Sequence, residues 1–143
     1  MRLPNWIIAL SLAGLIPFFA GPLVILLGDD ALWPRVDEAW RSYVALLAVF
    51  LAGSFWGFAL IAVNGAAGAA GILIASALML LAWAATLLPF RESLYAFALI
   101  FLLLLLADYW RERVLGSMPG YFELRAVLTV GALISIGLRI TFP

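Results

Sequence analysis

The chain alternates long apolar runs with short polar interruptions. The clearest run is residues 43–64, YVALLAVFLAGSFWGFALIAVN, which places 20 uncharged residues between two polar ends. About 20 residues at 1.5 Å rise cross a ~30 Å hydrocarbon core, so this run predicts a membrane-spanning helix. The same pattern recurs and predicts spans at residues 6–27, 43–63, 66–88, 94–110 and 122–140. The expected fold is all-α: a polytopic membrane helix bundle with five transmembrane helices, with residues 1–143 as a single integral membrane domain.

The first run carries Gly14, Pro17, Gly21 and Pro22. A proline lacks the N–H that would bond the carbonyl one turn earlier, so it kinks the helix and leaves that carbonyl in need of a partner. In a bilayer the partner must come from a neighbouring helix, a hydroxyl or water. Two readings follow: a broken helix whose open ends bind a substrate, or an ordinary kinked span, which is favoured. The charged start, apolar centre and small residues near Ala20 also suit a signal peptide. The length of the run and Pro22 argue for a span.

In the second run Gly53 and Gly57 lie four apart, a spacing that lets two helix backbones approach closely. Trp56 sits near the span centre and is expected to turn inward, where its indole N–H finds an acceptor. In the third run Gly68, Ala75 and Ala82 recur every seven residues and predict a seam of close helix packing. Residues 28–42 form the most polar loop, and Pro34, Asp37 and Glu38 read as a solvated helix start. The last two runs look short for a bilayer: 13 uncharged residues separate Arg125 from Arg139, or ~20 Å of helix. Snorkelling arginines, local thinning or burial in an assembly meets such a mismatch.

These last two spans are expected to be antiparallel neighbours. Asp108 then sits level with Arg125, and Glu92 with Arg139. At ~100° per residue the two arginines share a face, while the two acids point about 160° apart. One pair alone can close through that interface. Asp108 with Arg125 is the favoured pair, because an acid ending an apolar run gains most from a bidentate arginine. Ionisable groups inside a membrane are functional candidates by default. The candidate residues are therefore Asp108, Arg125, Arg139, Trp56, Gly53, Gly57 and Pro17, as structural or functional positions.

Composition narrows the chemistry. The chain is 67% apolar and 11% charged, too little polarity to coat a soluble domain. Eight acids balance eight arginines, so no basic footprint points to nucleic acid. The sequence has no Cys, no His and no Lys. That removes thiolate and imidazole metal ligands, cysteine nucleophiles, the commonest general base and Schiff-base chemistry. No catalytic, cofactor-binding or metal site is expected. Asp108 and Glu112, one helical turn apart, are the one carboxylate pair of note, and they read as a solvated helix end. The expected partners are the lipid bilayer and other membrane proteins. The arginine count is nearly equal on the two sides, and the positive-inside rule leans to a cytoplasmic or matrix N-terminus.

Three segments carry a family resemblance: LAGLIPF at Leu12 to Phe18, GSFWG at Gly53 to Gly57, and ADYW…PGYFELRAVLT from Ala107 to Thr129. Together they resemble the small multi-pass membrane proteins of unknown function that include transmembrane protein 69. Matching positions are Gly14, Pro17, Phe18, Gly53, Trp56, Gly57, Asp108, Pro119, Tyr121, Leu124, Arg125 and Thr129. The family pattern places a histidine before the second-span tryptophan, where this chain has Phe55. It also has Pro-Ser before the third-span Ala-Trp, here Ala82-Trp83, which this chain lacks. Roles built on those groups do not carry over. The resemblance implies an inner membrane, bacterial or mitochondrial, and no assigned activity.

The favoured function is a non-enzymatic accessory, assembly or structural subunit of a membrane complex. The alternative is a small-solute carrier or a lipid- or quinone-binding protein, which needs a polar cavity at mid-depth.

Overall fold

A computed structural model describes residues 4–27, 33–61, 65–114 and 120–141. They form six helices: α1 (Asn5–Ala13), α2 (Ile16–Leu27), α3 (Trp33–Ile61), α4 (Ala66–Ala85), α5 (Phe90–Val114) and α6 (Tyr121–Thr141). Among the described residues there is no strand. Five stretches are long and apolar enough to cross a membrane: Asn5–Val24, Pro34–Gly57, Gly68–Ala85, Phe90–Val114 and Tyr121–Thr141. Asp29, Asp30 and the turn through Gly116 and Pro119 lie outside the described residues.

The first span is two helices because its backbone ladder breaks. Gly14 N–H donates to the Ser11 carbonyl at 3.1 Å and Leu15 N–H to the Leu12 carbonyl at 3.0 Å, both three residues back rather than four. Pro17 then has no N–H to offer. The result is a 3₁₀ step between α1 and α2. Further on, Pro22 lies inside α2 and leaves the Phe18 carbonyl without its helical donor. Two neighbours supply the bond instead: Trp40 Nε1–H of α3 at 2.9 Å, and the Ser135 hydroxyl of α6. The Tyr43 hydroxyl likewise donates to the Gly14 carbonyl at the step. Pro22 and the 3₁₀ step thus open acceptors that fasten the first span to α3 and α6.

Helix α3 packs against α4 along much of its length and also touches α2 and α5, while α6 lies on α5 and α2. Phe18, Val44, Phe55, Phe97, Phe101, Leu104, Ala132 and Ile136 fill the interior and are almost wholly buried. The Phe18 ring meets Phe101 and Tyr43 edge-on, with centroids 6.0 and 5.4 Å apart, the geometry the ring quadrupoles favour. Glycine permits close approach: a Cβ on Gly71 would lie 2.8 Å from the Ala59 Cβ, and one on Gly21 would overlap the Trp40 indole. Gly68, Ala75 and Ala82 are buried on the same side of α4.

Three expectations change. Among the described residues Gly53 and Gly57 are in no helix contact, since nothing there lies within 4 Å of where their Cβ atoms would be. Trp56 is 41% exposed and faces outward. The reason is rotational: Leu51, Ala52, Phe55 and Ala59 take the inner face of α3, which leaves Gly53, Trp56 and Gly57 on the outer one. The last hairpin is also not short. α5 has 25 residues and α6 has 21, because their charged ends stay helical, with Asp108, Arg111, Arg125 and Arg139 buried.

Candidate functional site

Asp108, six residues before the end of α5, is buried to 1% side-chain exposure, and Arg125, in the second turn of α6, to 4%. Arg125 Nε–H donates to Asp108 Oδ2 at 2.8 Å and its Nη2 to Oδ1 at 3.2 Å, so the pair is bidentate. The same Nη2 donates to the Leu51 carbonyl of α3 at 2.8 Å. One side chain therefore holds α6 to both α5 and α3. Such charge-assisted, parallel bonds are about twice as strong as neutral ones.

Arg111, one turn beyond Asp108, completes the cluster and is fully buried. Its Nε lies 3.9 Å from Asp108 Oδ1, and its Nη2 is 3.4 Å from Glu112 Oε2. Its guanidinium stands 4.8 Å from the Tyr121 ring centre, with that of Arg125 at 5.7 Å from the same ring. The negative ring face and the carboxylate thus share two desolvated cations. Sequence reading ended the fourth span at residue 110 and did not single out Arg111. The signal it overlooked is the i, i+3 spacing from Asp108, which puts both on one helix face.

Arg139 pairs with α3. Its Nε and Nη2 donate to Asp37 Oδ1 and Oδ2 of α3 at 2.8 and 2.7 Å, and its guanidinium lies over the Phe90 ring at 5.1 Å. Asp37 is therefore an interhelical ligand rather than a solvated helix-start residue. The spacing repeats: Asp37 and Leu51 are 14 residues apart on α3, as Arg125 and Arg139 are on α6. Two antiparallel helices in constant register bring both arginines level with both acceptors, on two rungs ~21 Å apart. At this second end Arg41 donates to the Leu88 carbonyl and to Glu38, and Arg91 to the Ile140 carbonyl. Both satisfy open carbonyls near helix C-termini.

Pro17 belongs to the break in the first span, and Trp56, Gly53 and Gly57 lie apart from both charge clusters. What the clusters can do chemically is limited: both Asp108 oxygens are engaged by Arg125. Among the described residues no group of three or more acids is placed to hold a metal ion. The arrangement fits a latch between helices.

The sequence pattern of the family described as "Protein of unknown function (DUF3429)" matches residues 3–141. Transmembrane protein 69 of Xenopus tropicalis is 35% identical over 137 residues, covering 93% of this chain and 53% of that protein. The chain thus spans about half the length of the curated relative it matches. No solved structure matches it.

Proposed function

The chain belongs to the DUF3429 family, and from that footing we propose that it is a non-enzymatic accessory, assembly or structural subunit of a complex in an inner membrane, bacterial or mitochondrial. The observation that carries this reading is the outer face of α3. Leu46, Phe50, Gly53, Gly57 and Leu60 follow one another at spacings of four, three, four and three, and all five are exposed. The two glycines leave the backbone bare toward the bilayer. That is the surface a second transmembrane helix uses for close packing.

The carrier or lipid- and quinone-binding alternative needs a polar hollow at mid-depth. Phe18, Phe97, Phe101, Leu104 and Ile136 occupy that volume instead, and the hydroxyls of Ser54, Thr86, Ser93 and Ser135 are spent on backbone carbonyls.

Substituting Gly53→Leu and Gly57→Leu in native membranes, followed by extraction in mild detergent, tests the proposal. The expected result is loss of a co-purifying stoichiometric partner with the thermal stability of the free chain unchanged. A wild-type chain that brings down no such partner contradicts it.

A further inference from the structure

The first span is held along one half and loose along the other. α2 and its approach are fixed at three points. Leu15 fills the space left by Gly131 of α6, where an added Cβ would come within 2.8 Å of its Cδ1. Phe18 is fully buried, and its carbonyl takes two donors from α3 and α6. Gly21 closes on Trp40. Among the described residues α1 has no comparable anchor: none of its residues is buried, and Trp6 and Leu10 are 68% and 69% exposed.

Between the two halves lies the 3₁₀ step at Gly14–Leu15, followed by Pro17 with no N–H. A short 3₁₀ stretch inside a longer helix is a common hinge, and the Tyr43 hydroxyl on the Gly14 carbonyl fixes its fulcrum to α3. Beside the hinge, between α1, α3 and α6, is a cleft of about 200 Å3 lined by Leu10, Ser11, Leu47, Phe50, Leu51 and Leu128. Leu51 is the residue whose carbonyl receives Arg125. The solvent matters here. Lipid tails are as apolar as leucine, so no hydrophobic penalty holds α1 against that cleft, and only dispersion contacts must be exchanged when it moves.

We propose that α1 is a lateral gate, a half-helix that pivots at Gly14–Leu15 and opens the cleft between itself, α3 and α6 to the bilayer. This goes beyond the assembly reading and does not depend on it. The motion belongs to the hinge type, in which a few residues at an element's end absorb the dihedral change.

The natural chain has no cysteine, so spin labels can be placed without background. Leu10→Cys paired with Leu73→Cys reports α1 against α4, and Leu23→Cys with Leu73→Cys reports α2 against the same point; all three positions are more than half exposed. In lipid nanodiscs the Leu10 pair is expected to give a distance distribution at least twice as wide as the Leu23 pair, or two resolved distances. Adding Pro17→Ala, which restores a backbone donor at the step, is expected to narrow it. Equal widths for the two pairs overturn the gate. So does a Leu10 distribution that Pro17→Ala leaves unchanged.

Discussion

Arg125 grips Asp108 with two hydrogen bonds of 2.8 and 3.2 Å in the buried seam between α5 and α6. Neither residue stands alone there, since Arg111 and the Leu51 carbonyl share the same pair. Removing one member of a buried pair leaves the other charge without compensation and costs about 3–5 kcal/mol. Asp108→Asn is expected to cost more than Arg125→Gln, because Asp108 is the counter-charge for two buried guanidiniums. The double variant should lose less than the sum, with a coupling of about 2 kcal/mol. Thermal or denaturant unfolding of the four proteins in one detergent reads out the cycle.

The second latch is weaker and wetter. Asp37 keeps 17% of its side-chain exposure and Arg139 8%. Arg139→Gln is expected to cost about 1.5–3 kcal/mol, the range for hydrogen bonds to charged groups. Partial exposure also admits screening. The stability lost in Arg139→Gln should therefore shrink between low salt and 1 M salt by a larger fraction than that lost in Arg125→Gln. Unfolding at both ionic strengths checks the difference.

The Phe18 carbonyl offers a sharper test of why the first span folds as it does. It has two donors, Trp40 Nε1–H and the Ser135 hydroxyl. Trp40→Phe and Ser135→Ala are each expected to cost about 1 kcal/mol in lost bonding, with some further loss of indole packing in the first. Together they should cost more than the sum, because the acceptor freed by Pro22 is then left bare. Adding Pro22→Ala, which supplies a helical donor, should recover part of the double loss. Melting temperatures of the four variants decide it.

Glycine substitutions separate the inner and outer surfaces. Gly71→Leu drives a side chain into Ala59 and Phe55 and is expected to cost at least 1–3 kcal/mol, as overpacking does. Gly53→Leu meets nothing within 4 Å and should leave the stability of the free chain within about 0.5 kcal/mol of wild type. A comparable loss in both would show that α3 is rotated from the placement described above.

Much of the architecture was legible because the bilayer imposes length and polarity on every span. Asp108 and Arg125 could be matched because the few residues between α5 and α6 force them to be neighbours, and antiparallel register then aligns them. Asp37 and Arg139 could not be matched the same way. They lie 102 residues apart, and nothing local tells which non-sequential helices face each other. Which way the face of Gly53 and Gly57 turns was not legible for a related reason. A small pair marks a surface fit for close packing, but rotation about the helix axis is set by Leu51, Ala52, Phe55 and Ala59 filling the core. Pro17 and Pro22 were readable as sources of open carbonyls, yet Trp40 and Ser135 as donors required the tertiary fold.

The central claim is that the chain crosses the membrane five times, with α5 and α6 returning as an antiparallel pair. Single cysteines in this cysteine-free chain test it most directly, read by an impermeant maleimide in sealed, oriented membranes. Glu92→Cys and Thr141→Cys should label from one face and Arg113→Cys from the other. Leu102→Cys, on the outer surface of α5, should label from neither face. Labelling of Glu92→Cys and Arg113→Cys from the same face, or of Leu102→Cys in the intact membrane, contradicts the account.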